Sequence, residues 1–351
     1  MQEEVTSQQV EFTPKEATDR DWKLFHGFRR IEQSELRPDD PIVPDEVVEA
    51  QLKRDDPFGN HRHFGIEQDD KLVSGFGCFW VKPESPEYES KKHLLFAGGY
   101  VLPEWRRKGL GKSWLPRCLS MMEETGATTI TFDAELPEGY AFFNWLGAEE
   151  KFTMAENRLD FSGVDWEMVD RWAEEGVKRS GETKLEFYPN EIPEHMWEEM
   201  APVYTQIVND MPFDDLDLGE FKITPETIRD RRERRKVNQA VMHTYLTREA
   251  DGAISSFTEI IYSPNLPGMI DQLGTGVLPQ YRGRGLGKWI KAAMLQYIKQ
   301  TYPDTKWIVT GNANSNAPML AINKALGFRE YQSSKAYQMT KDQLATFVRS
   351  L

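Results

Sequence analysis

The stretch Val101-Leu-Pro-Glu-Trp-Arg-Arg-Lys-Gly-Leu-Gly-Lys112 returns 176 residues later as Val277-Leu-Pro-Gln-Tyr-Arg-Gly-Arg-Gly-Leu-Gly-Lys288, with eight of its twelve positions identical. A second match has almost the same offset, because Glu11-Phe12 followed by Trp22 corresponds to Glu186-Phe187 followed by Trp197. Self-similarity at a fixed separation indicates an internal duplication. With 351 residues, the chain also exceeds the size at which one core normally keeps growing. We therefore expect two similar folded halves, here called the first and second copy.

The junction between the copies falls in a segment with helical spacing of apolar residues. Val164, Met168 and Trp172 recur on one helical face, and the turn-forming residues 179–182 follow them. The predicted division is a first domain over residues 1–163, a linking helix and turn over 164–182, and a second domain over 183–351.

The hydrophobic pattern of the second copy predicts an α/β layer of order βααβββαβα. The predicted strands cover residues 184–188, 240–247, 254–262, 269–278 and 307–310, and the predicted helices cover 194–208, 224–235, a segment from 285 onward and 317–326. In the first copy, strands are expected over 64–68, 72–81 and 93–102. Pro116 lies inside the helix expected after the glycines, where it predicts a kink, whereas the second copy has Ala292 there.

The composition narrows the classes of partner. A formal charge of −14 and a pI near 5.1 argue against binding to nucleic acid, which needs clustered cations. Acidity suits a cationic substrate such as an amine, and it equally suits simple solubility. No apolar window is long enough for a membrane span and the first residues lack a secretory signal, so a cytoplasmic location is expected. Cys78 and Cys118 stand among apolar residues and are expected in the core, with no metal site.

Both copies end a strand in a loop of pattern Arg-x-x-Gly-x-Gly that leads into a helix. Such a junction presents free backbone N–H groups at the positive end of a helix, so it predicts an anion site. Two known phosphate motifs do not fit. A Walker loop requires glycine where Arg106 stands and Ser or Thr where Trp289 stands, and the dinucleotide pattern requires glycine where Trp114 and Ile290 stand.

Arg282-Gly-Arg-Gly-Leu-Gly287 and Arg106-Arg-Lys-Gly-Leu-Gly111 resemble the R/Q-x-x-G-x-G/A signature of the GCN5-related N-acetyltransferase (GNAT) superfamily. The second copy adds Asn312-Ala-Asn-Ser-Asn-Ala-Pro-Met-Leu-Ala-Ile-Asn323 and then Leu326-Gly-Phe328, which resembles the closing segment of the family. The chain is thus similar to tandem acetyltransferases of the mycothiol synthase type. The resemblance implies two tandem GNAT-type domains, each a mixed, mostly antiparallel central sheet flanked by helices.

The resemblance also implies where acetyl-CoA would bind. The strand end would hold the pantetheine arm, the glycine loop would hold the pyrophosphate, and two asparagines would line the acyl end. In the second copy these residues are Gly276, Val277, Leu278, Arg282, Gly283, Arg284, Gly285, Leu286, Gly287, Lys288, Asn316 and Asn323; in the first copy they are Val101, Leu102, Arg106, Arg107, Lys108, Gly109, Leu110, Gly111 and Lys112. Asn316 is alternatively a simple cap of the helix that follows it.

Acetyl transfer to an amine requires a base, because an alkyl amine is protonated at neutral pH. Glu259 is the preferred candidate and Asp271 the second, and the alternative for Glu259 is an ordinary exposed strand residue. The family usually protonates the leaving thiolate with a Tyr, but Asn323 occupies that position here. Tyr281 or Tyr337 would then supply the proton, or the thiolate would leave without acid help. The acidic run 210–215 would recognise a cationic acceptor or is merely solvated.

The predicted function is an acetyl-CoA-dependent N-acetyltransferase that moves an acetyl group to a primary amine of a small molecule or peptide by direct transfer in a ternary complex. The alternative is a non-catalytic acetyl-CoA-binding module. The first copy has Leu136 in place of the leading Asn and Phe143 at the Tyr position, so it is expected to hold cofactor or serve the structure. The protein is expected as a monomer or homodimer.

Overall fold

A computed structural model describes residues 9–179 and 181–351. In the first part of the chain the elements are β1 (Gln9–Phe12), α1 (Asp19–Leu36), α2 (Asp45–Lys53), β2 (Gly59–Gln68), β3 (Lys71–Val81), α3 (Tyr88–Lys91), β4 (Leu94–Val101), α4 (Leu110–Ser113), α5 (Leu115–Thr125), β5 (Thr129–Ala134), α6 (Pro137–Leu146), β6 (Glu149–Asp160) and α7 (Trp166–Arg179). The remainder contains β7 (Lys184–Tyr188), α8 (Trp197–Asn209), α9 (Pro225–Val237), β8 (Val241–Arg248), β9 (Ile254–Tyr262), β10 (Met269–Val277), α10 (Leu286–Thr301), β11 (Trp307–Ala313), α11 (Ala317–Leu326), β12 (Arg329–Thr340) and α12 (Lys341–Arg349).

The chain forms two compact units that do not follow the linear order of the sequence. The first unit contains the residues up to Phe152 together with Asp214–Glu220 and Ser334–Leu351. The second unit contains Thr153–Phe213 and Phe221–Ser333. The predicted boundaries at 163 and 183 describe where the repeated sequences meet, and they stay a prediction. The compact units are a different division, because each contains segments from both sides of these boundaries.

The first unit is built on a mostly antiparallel sheet. Its strands run in the order β1, β2, β3, β4, β5, and residues 335–340 of β12 then pair with β5. Of the strand pairs in the described part of this unit, only β4 with β5 is parallel. The core lies between this sheet and helices α5, α6 and α12, and it includes Met121, Ile130 and Leu344, none of them accessible to solvent.

The second unit has the same architecture. Residues 154–160 of β6 pair with β11, and β10, β9, β8 and β7 follow in that order. Again one pair, β10 with β11, is parallel. Its core places Ile260 and Ile308 of the sheet against Met294 of α10. The predicted fold class, a mixed and mostly antiparallel sheet flanked by helices in each half, is therefore confirmed.

Each sheet is completed by a strand from the other copy. Strand β12 belongs to the second copy but pairs with β5, while β6 belongs to the first copy and its residues 154–160 pair with β11. The predicted order βααβββαβα omits β12 and α12. The pattern of apolar residues in a strand shows which face is buried but does not identify the strand beside it, so this exchange was not predicted.

Pro116 interrupts the helix of the first copy, as predicted. The helix after Gly109 stops at Ser113 and resumes at Leu115, whereas the corresponding α10 runs without a break over Leu286–Thr301. Proline has no N–H to continue the ladder of helical hydrogen bonds. The first unit thus begins this helix with a single turn.

The sequence also leads to expectations about the cysteines, possible membrane spans and possible metal sites. Cys78 and Cys118 are both free and buried in the core of the first unit, as predicted. Among residues 9–179 and 181–351, no helix is long and apolar enough to cross a membrane. In the same part of the chain, no group of three His, Cys, Asp or Glu side chains is placed to hold a metal ion.

Helix α7 packs against α10 through a glycine. A Cβ built on Gly176 would lie 2.1 Å from Cγ and 2.5 Å from Cβ of Trp289. These atoms lie close to the backbone of α10 and cannot swing away cheaply. Only glycine therefore lets the two helices approach this closely.

We predict that Gly176→Ala lowers the free energy of unfolding by roughly 1–3 kcal/mol, because the added methyl overpacks a filled contact. The control is Gly27→Ala in α1, where a Cβ meets nothing within 4 Å. That change should stabilise the protein by up to about 1 kcal/mol through helix propensity. Urea denaturation followed by circular dichroism compares them, and equal stability of the two variants would contradict the packing argument.

Candidate functional site

In the second unit, two parallel strands part after a short pairing. Strands β10 and β11 are in register only from Met269 opposite Trp307 to Asp271 opposite Val309. Beyond Asp271, β10 continues beside β9 as far as Val277. An opening therefore separates residues 272–277 of β10 from residues 310–313 of β11. Among the strands that the structure describes, none pairs with the backbone groups facing this opening, so they are available to a ligand.

A bulge in β10 accompanies the parting. The register between β10 and β9 shifts between Gln272 and Thr275. The buried Gln272 side chain fills this irregularity, since its Nε2 donates to the carbonyl oxygen of Glu259 at 2.7 Å and to Thr258 Oγ1 at 3.0 Å. An extra residue in one strand bends it and changes its direction. The bulge thus directs the end of β10 away from β11.

The glycine loop of the second copy, residues 282–287, follows β10 and begins α10. Gly283 has φ +79° and Gly285 has φ +84°, backbone conformations that residues other than glycine rarely adopt. No side chain of the described residues caps the helix, and its first turn contains no acidic residue. The free N–H groups at this helix start are therefore available to an anion.

The basic residues of this loop divide into two kinds. Arg282 Nε donates to the Val277 carbonyl oxygen at 3.0 Å and its Nη2 pairs with Asp210 at 2.9 Å. Arg284 pairs with Glu249 Oε1 at 2.9 Å. Both arginines therefore fix the conformation of the loop. Asp210, which belongs to the acidic run 210–215, forms an ion pair with Arg282. Lys288 is exposed and has no carboxylate partner among the described residues, while its Nζ lies 4.9 Å from the centre of the Trp172 ring.

The two candidate bases occupy different environments. Glu259 on β9 is only 6% exposed, so the alternative of an exposed strand residue is wrong. Tyr204 Oη donates to its carboxylate, and Thr244 Oγ1 donates to the same oxygen at 3.2 Å. Burial raises the pKa of Glu259, against the opposing effects of the Tyr204 hydrogen bond and the positive charge of Arg235. Asp271 is half-buried and marks the point where β10 leaves β11.

A buried polar cluster lies on the helix side of β11. Asn323 Nδ2 donates to Asn312 Oδ1 at 2.7 Å, and Lys291 Nζ donates to Asn323 Oδ1 at 2.8 Å. Lys291 is 2% exposed, and burial lowers its pKa to about 7. Lys291 is not predicted from the sequence, because it lies outside the expected apolar stripe of α10. Comparison with Leu115, its counterpart in the repeat, would have drawn attention to it.

The remaining predicted residues of the second copy have structural contacts. Asn316 Oδ1 accepts from Met319 N at 3.4 Å, so this residue caps α11. A Cβ on Gly276 would lie 2.3 Å from Ile207, so the glycine permits α8 to approach β10. Tyr281 is part-buried in a single 3₁₀ turn before the loop. Tyr337 belongs to the first unit, where it is fully buried and its ring lies 5.1 Å from that of Phe143.

The first unit has a related arrangement with different details. Strands β4 and β5 pair from Leu94 to Ala97 and then part. Gly109 has φ +85°, but Arg107, with φ +61°, stands where the second copy has Gly283. Arg106 Nε donates to the Val101 carbonyl oxygen at 3.1 Å, and the guanidinium also pairs with Glu35. The remaining loop residues predicted to bind cofactor are the buried Leu102 and Leu110, the half-buried Gly111 and the exposed Lys108 and Lys112.

A cavity of about 640 Å³ lies between α1 and the sheet of the first unit. Glycines of β2, β3 and β4 line it on the side of the sheet, and Phe25, Phe28 and Tyr100 also line it. Glu32 lines it, and burial together with the nearby charge of Glu135 raises the pKa of this carboxyl to about 7. Neither Lys nor Arg occurs among the described lining residues. Aromatic walls and acidic groups suit an organic cation with an apolar body. This cavity is not predicted from the sequence, because its glycines come from three different strands.

Comparisons with known proteins agree with this architecture. Residues 25–146 match the model of the "Acetyltransferase (GNAT) family". No curated protein matches the chain in sequence. A tandem GNAT protein from the clavulanic acid biosynthesis pathway has a similar structure at TM-score 0.69 and 17% identity, over 95% of this chain and 98% of that one.

Two further solved structures are similar. One is a GCN5-related N-acetyltransferase from Sphaerobacter thermophilus, at TM-score 0.62 and 13% identity over 95% of this chain and 96% of that one. The other is the glucosamine N-acetyltransferase region of a fungal multi-domain β-N-acetylglucosaminidase, at TM-score 0.64 and 14% identity over 95% of this chain and 38% of that one. Likenesses at such low identity establish the fold. Residues 25–146 thus match the GNAT acetyltransferase family, and the described part of the chain has the fold of a tandem GNAT protein.

Proposed function

We propose that the protein is an acetyl-CoA-dependent N-acetyltransferase that acts on a primary amine of a small molecule or peptide by direct transfer in a ternary complex. The opening between β10 and β11, which ends at the uncapped start of α10, carries this proposal. An extended amide-containing arm fits between two strands whose facing backbone groups lack partners. A pyrophosphate fits at the helix start beyond them.

The chain's own residues suit such a ligand. Gly283 has nothing within 4 Å of the place where a Cβ would stand, so phosphate oxygens can approach the backbone. Arg282 and Arg284 hold the loop through their ion pairs, and Lys288 remains to neutralise phosphate charge. The ligand supplies an activated acetyl group, and the protein binds and orients it.

Glu259 is proposed as the general base. An amine must lose a proton to become a nucleophile, and a base works best when its pKa is near the working pH. Burial moves the pKa of Glu259 upward from its usual acidic range. Tyr204, which donates to the Glu259 carboxylate, orients this group and links it to the α8 side of the sheet. Asp271, at the parting of the strands, is the alternative base.

The first unit is proposed to bind acetyl-CoA without carrying the main reaction. Its strands part in the same way and Gly109 keeps the left-handed conformation. However, Arg107 adopts a strained conformation where the second copy has glycine, and its helix begins with a single turn. Its position matching Asn323 holds Phe143, a core residue.

We expect Lys288→Glu to weaken acetyl-CoA binding to the second unit about tenfold or more, because a negative charge then faces the pyrophosphate. The matched variant is Lys112→Glu, at the same position of the first unit. Isothermal titration calorimetry resolves affinity and stoichiometry for each variant. The double variant should bind most weakly.

If neither charge reversal changes acetyl-CoA affinity, the glycine loops are not the phosphate sites. If the wild-type protein binds acetyl-CoA but releases no CoA thiol with any amine in a broad panel, the protein is a binding module and the enzyme proposal fails.

We also expect Glu259→Gln to lower kcat by about 10²–10⁴, the usual contribution of general acid–base catalysis, with acetyl-CoA affinity unchanged. A base acts when deprotonated, so wild-type kcat/KM should rise with pH through the pKa of Glu259, which burial places above its usual value near 4.5. This rising limb should vanish in the variant.

Asp271→Asn is the comparison for Glu259→Gln, since it removes the other candidate carboxylate. A rising limb that survives in Glu259→Gln and disappears in Asp271→Asn would transfer the role of base to Asp271. Thiol-release rates measured from pH 5 to pH 9 distinguish the two results.

A further inference from the structure

The buried Lys291 has no evident structural purpose. Its side chain lies in the middle of α10, 2% exposed, and no carboxylate pairs with it among the described residues. Its neighbours are the Asn323 amide at 2.8 Å and the Phe328 ring, whose centre lies 5.3 Å from Nζ. Burying a cation without a counter-charge costs free energy, so fully buried lysines without an ionic partner are rare.

The duplication supplies an internal comparison. In the first copy, the position of Lys291 holds Leu115 and that of Asn323 holds Phe143. Both residues belong to the apolar core of the first unit, and Phe143 stacks on Phe132 of β5 at 4.9 Å. The same fold is therefore built with apolar side chains at these positions. The fold does not require the polar pair of the second copy.

The polar cluster also borders the opening between the strands. Asn312 lies on β11 beyond Val309, the last residue in register with β10, and it accepts from Asn323. The order Lys291, Asn323, Asn312 thus runs from the interior of α10 to the open edge of β11. Two hydrogen bonds through Asn323 thus connect the Lys291 ammonium to the segment of β11 beyond its pairing with β10.

We propose that Lys291 is the proton donor to the leaving thiolate of CoA, held in place by Asn323. This inference rests on the proposed function of the second unit. Lys291 gives its proton to sulfur as the carbon–sulfur bond of the thioester breaks and the carbon–nitrogen bond of the product forms. Sulfur leaves with the bonding electron pair and becomes a thiol, and Lys291 becomes a neutral amine. The proton that Glu259 takes from the acceptor amine is released to solvent, from which Lys291 is recharged.

The surroundings of Lys291 support this chemistry. Burial lowers its pKa to about 7, so it holds a proton that it can release near neutral pH. Its contacts on α11 and β11 are amides, and Phe328 is apolar. On α7, which packs on α10, Asp170 bonds to Gln296, and on α10 itself Lys288 lies one turn away at the surface. The proton donor therefore has a neutral, enclosed environment.

The test uses the full chain with three substitutions. Lys291→Met removes the charge at similar volume, Lys291→Leu copies the first unit, and Lys291→Arg keeps a charge that does not dissociate. Binding of acetyl-CoA is measured by calorimetry. Titration of the bound CoA thiol is followed by the ultraviolet absorbance of its thiolate, with desulfo-CoA as the blank. Turnover is followed by thiol release.

In the wild-type protein, the thiol of bound CoA should titrate about 1 pH unit or more below that of free CoA, because a cation favours the thiolate. Lys291→Met and Lys291→Leu should lose this shift and about 10²–10⁴ of kcat, with acetyl-CoA affinity within about threefold. Lys291→Arg should keep the shift yet lose kcat. The falling limb of kcat near pH 7 should disappear with the lysine.

An unchanged thiolate titration and turnover in Lys291→Met would overturn the inference, as would full turnover in Lys291→Arg. If Lys291→Met does not fold, Lys291→Leu combined with Asn323→Phe reproduces the apolar set of the first unit and serves instead. Failure of the wild-type protein to bind acetyl-CoA would refute the proposed function itself, which is a different result.

Discussion

The early parting of two parallel strands is the constraint on which the second unit depends. Pairing between β10 and β11 lasts for three residue pairs, although both strands continue beyond it. Open strand edges inside a protein need compensation, because unpaired backbone groups cost free energy. Here β9 keeps one side of β10 paired, Gln272 fills the bulge, and Gly276 lets α8 cover the strand end. The opening is thus held by specific contacts around it, and a ligand can use the side that they leave free.

The two glycine loops share one architecture but not one chemistry. In both, the first arginine bonds to the carbonyl oxygen of the preceding valine and to a carboxylate, so it acts as a brace for the turn. They differ at the left-handed position two residues before Gly109 and Gly285, which is Arg107 in the first loop and Gly283 in the second. A residue with a Cβ is strained there, by roughly 1–2 kcal/mol. Duplication followed by divergence explains why both loops keep the arginine contact while the first loop has the strained Arg107.

Local features were predictable from the sequence, and features made by distant contacts were not. The glycine loops, the break at Pro116 and the cap at Asn316 each depend on a few neighbouring residues, whose conformational preferences are strong. Burial of Glu259 depends on α8, which supplies Tyr204. The environment of Lys291 depends on α11 and on the end of β11. A lysine among helical residues reads as a surface residue until the packing of those elements is known.

Because of the exchanged strands, the sheet of the first unit cannot be completed until residues 335–340 have been synthesised. Strand β5 and the core around Ile130 contact residues that lie more than 200 positions later in the chain. Met339 pairs with Ile130, and Leu344 belongs to the same core cluster. Contacts of such long separation slow folding, and an uncovered strand edge invites association with other chains. The first unit therefore stays incomplete until residues 334–351 have been synthesised. The matching of the two repeats does not include these 18 residues, although they complete the sheet and the core of that unit.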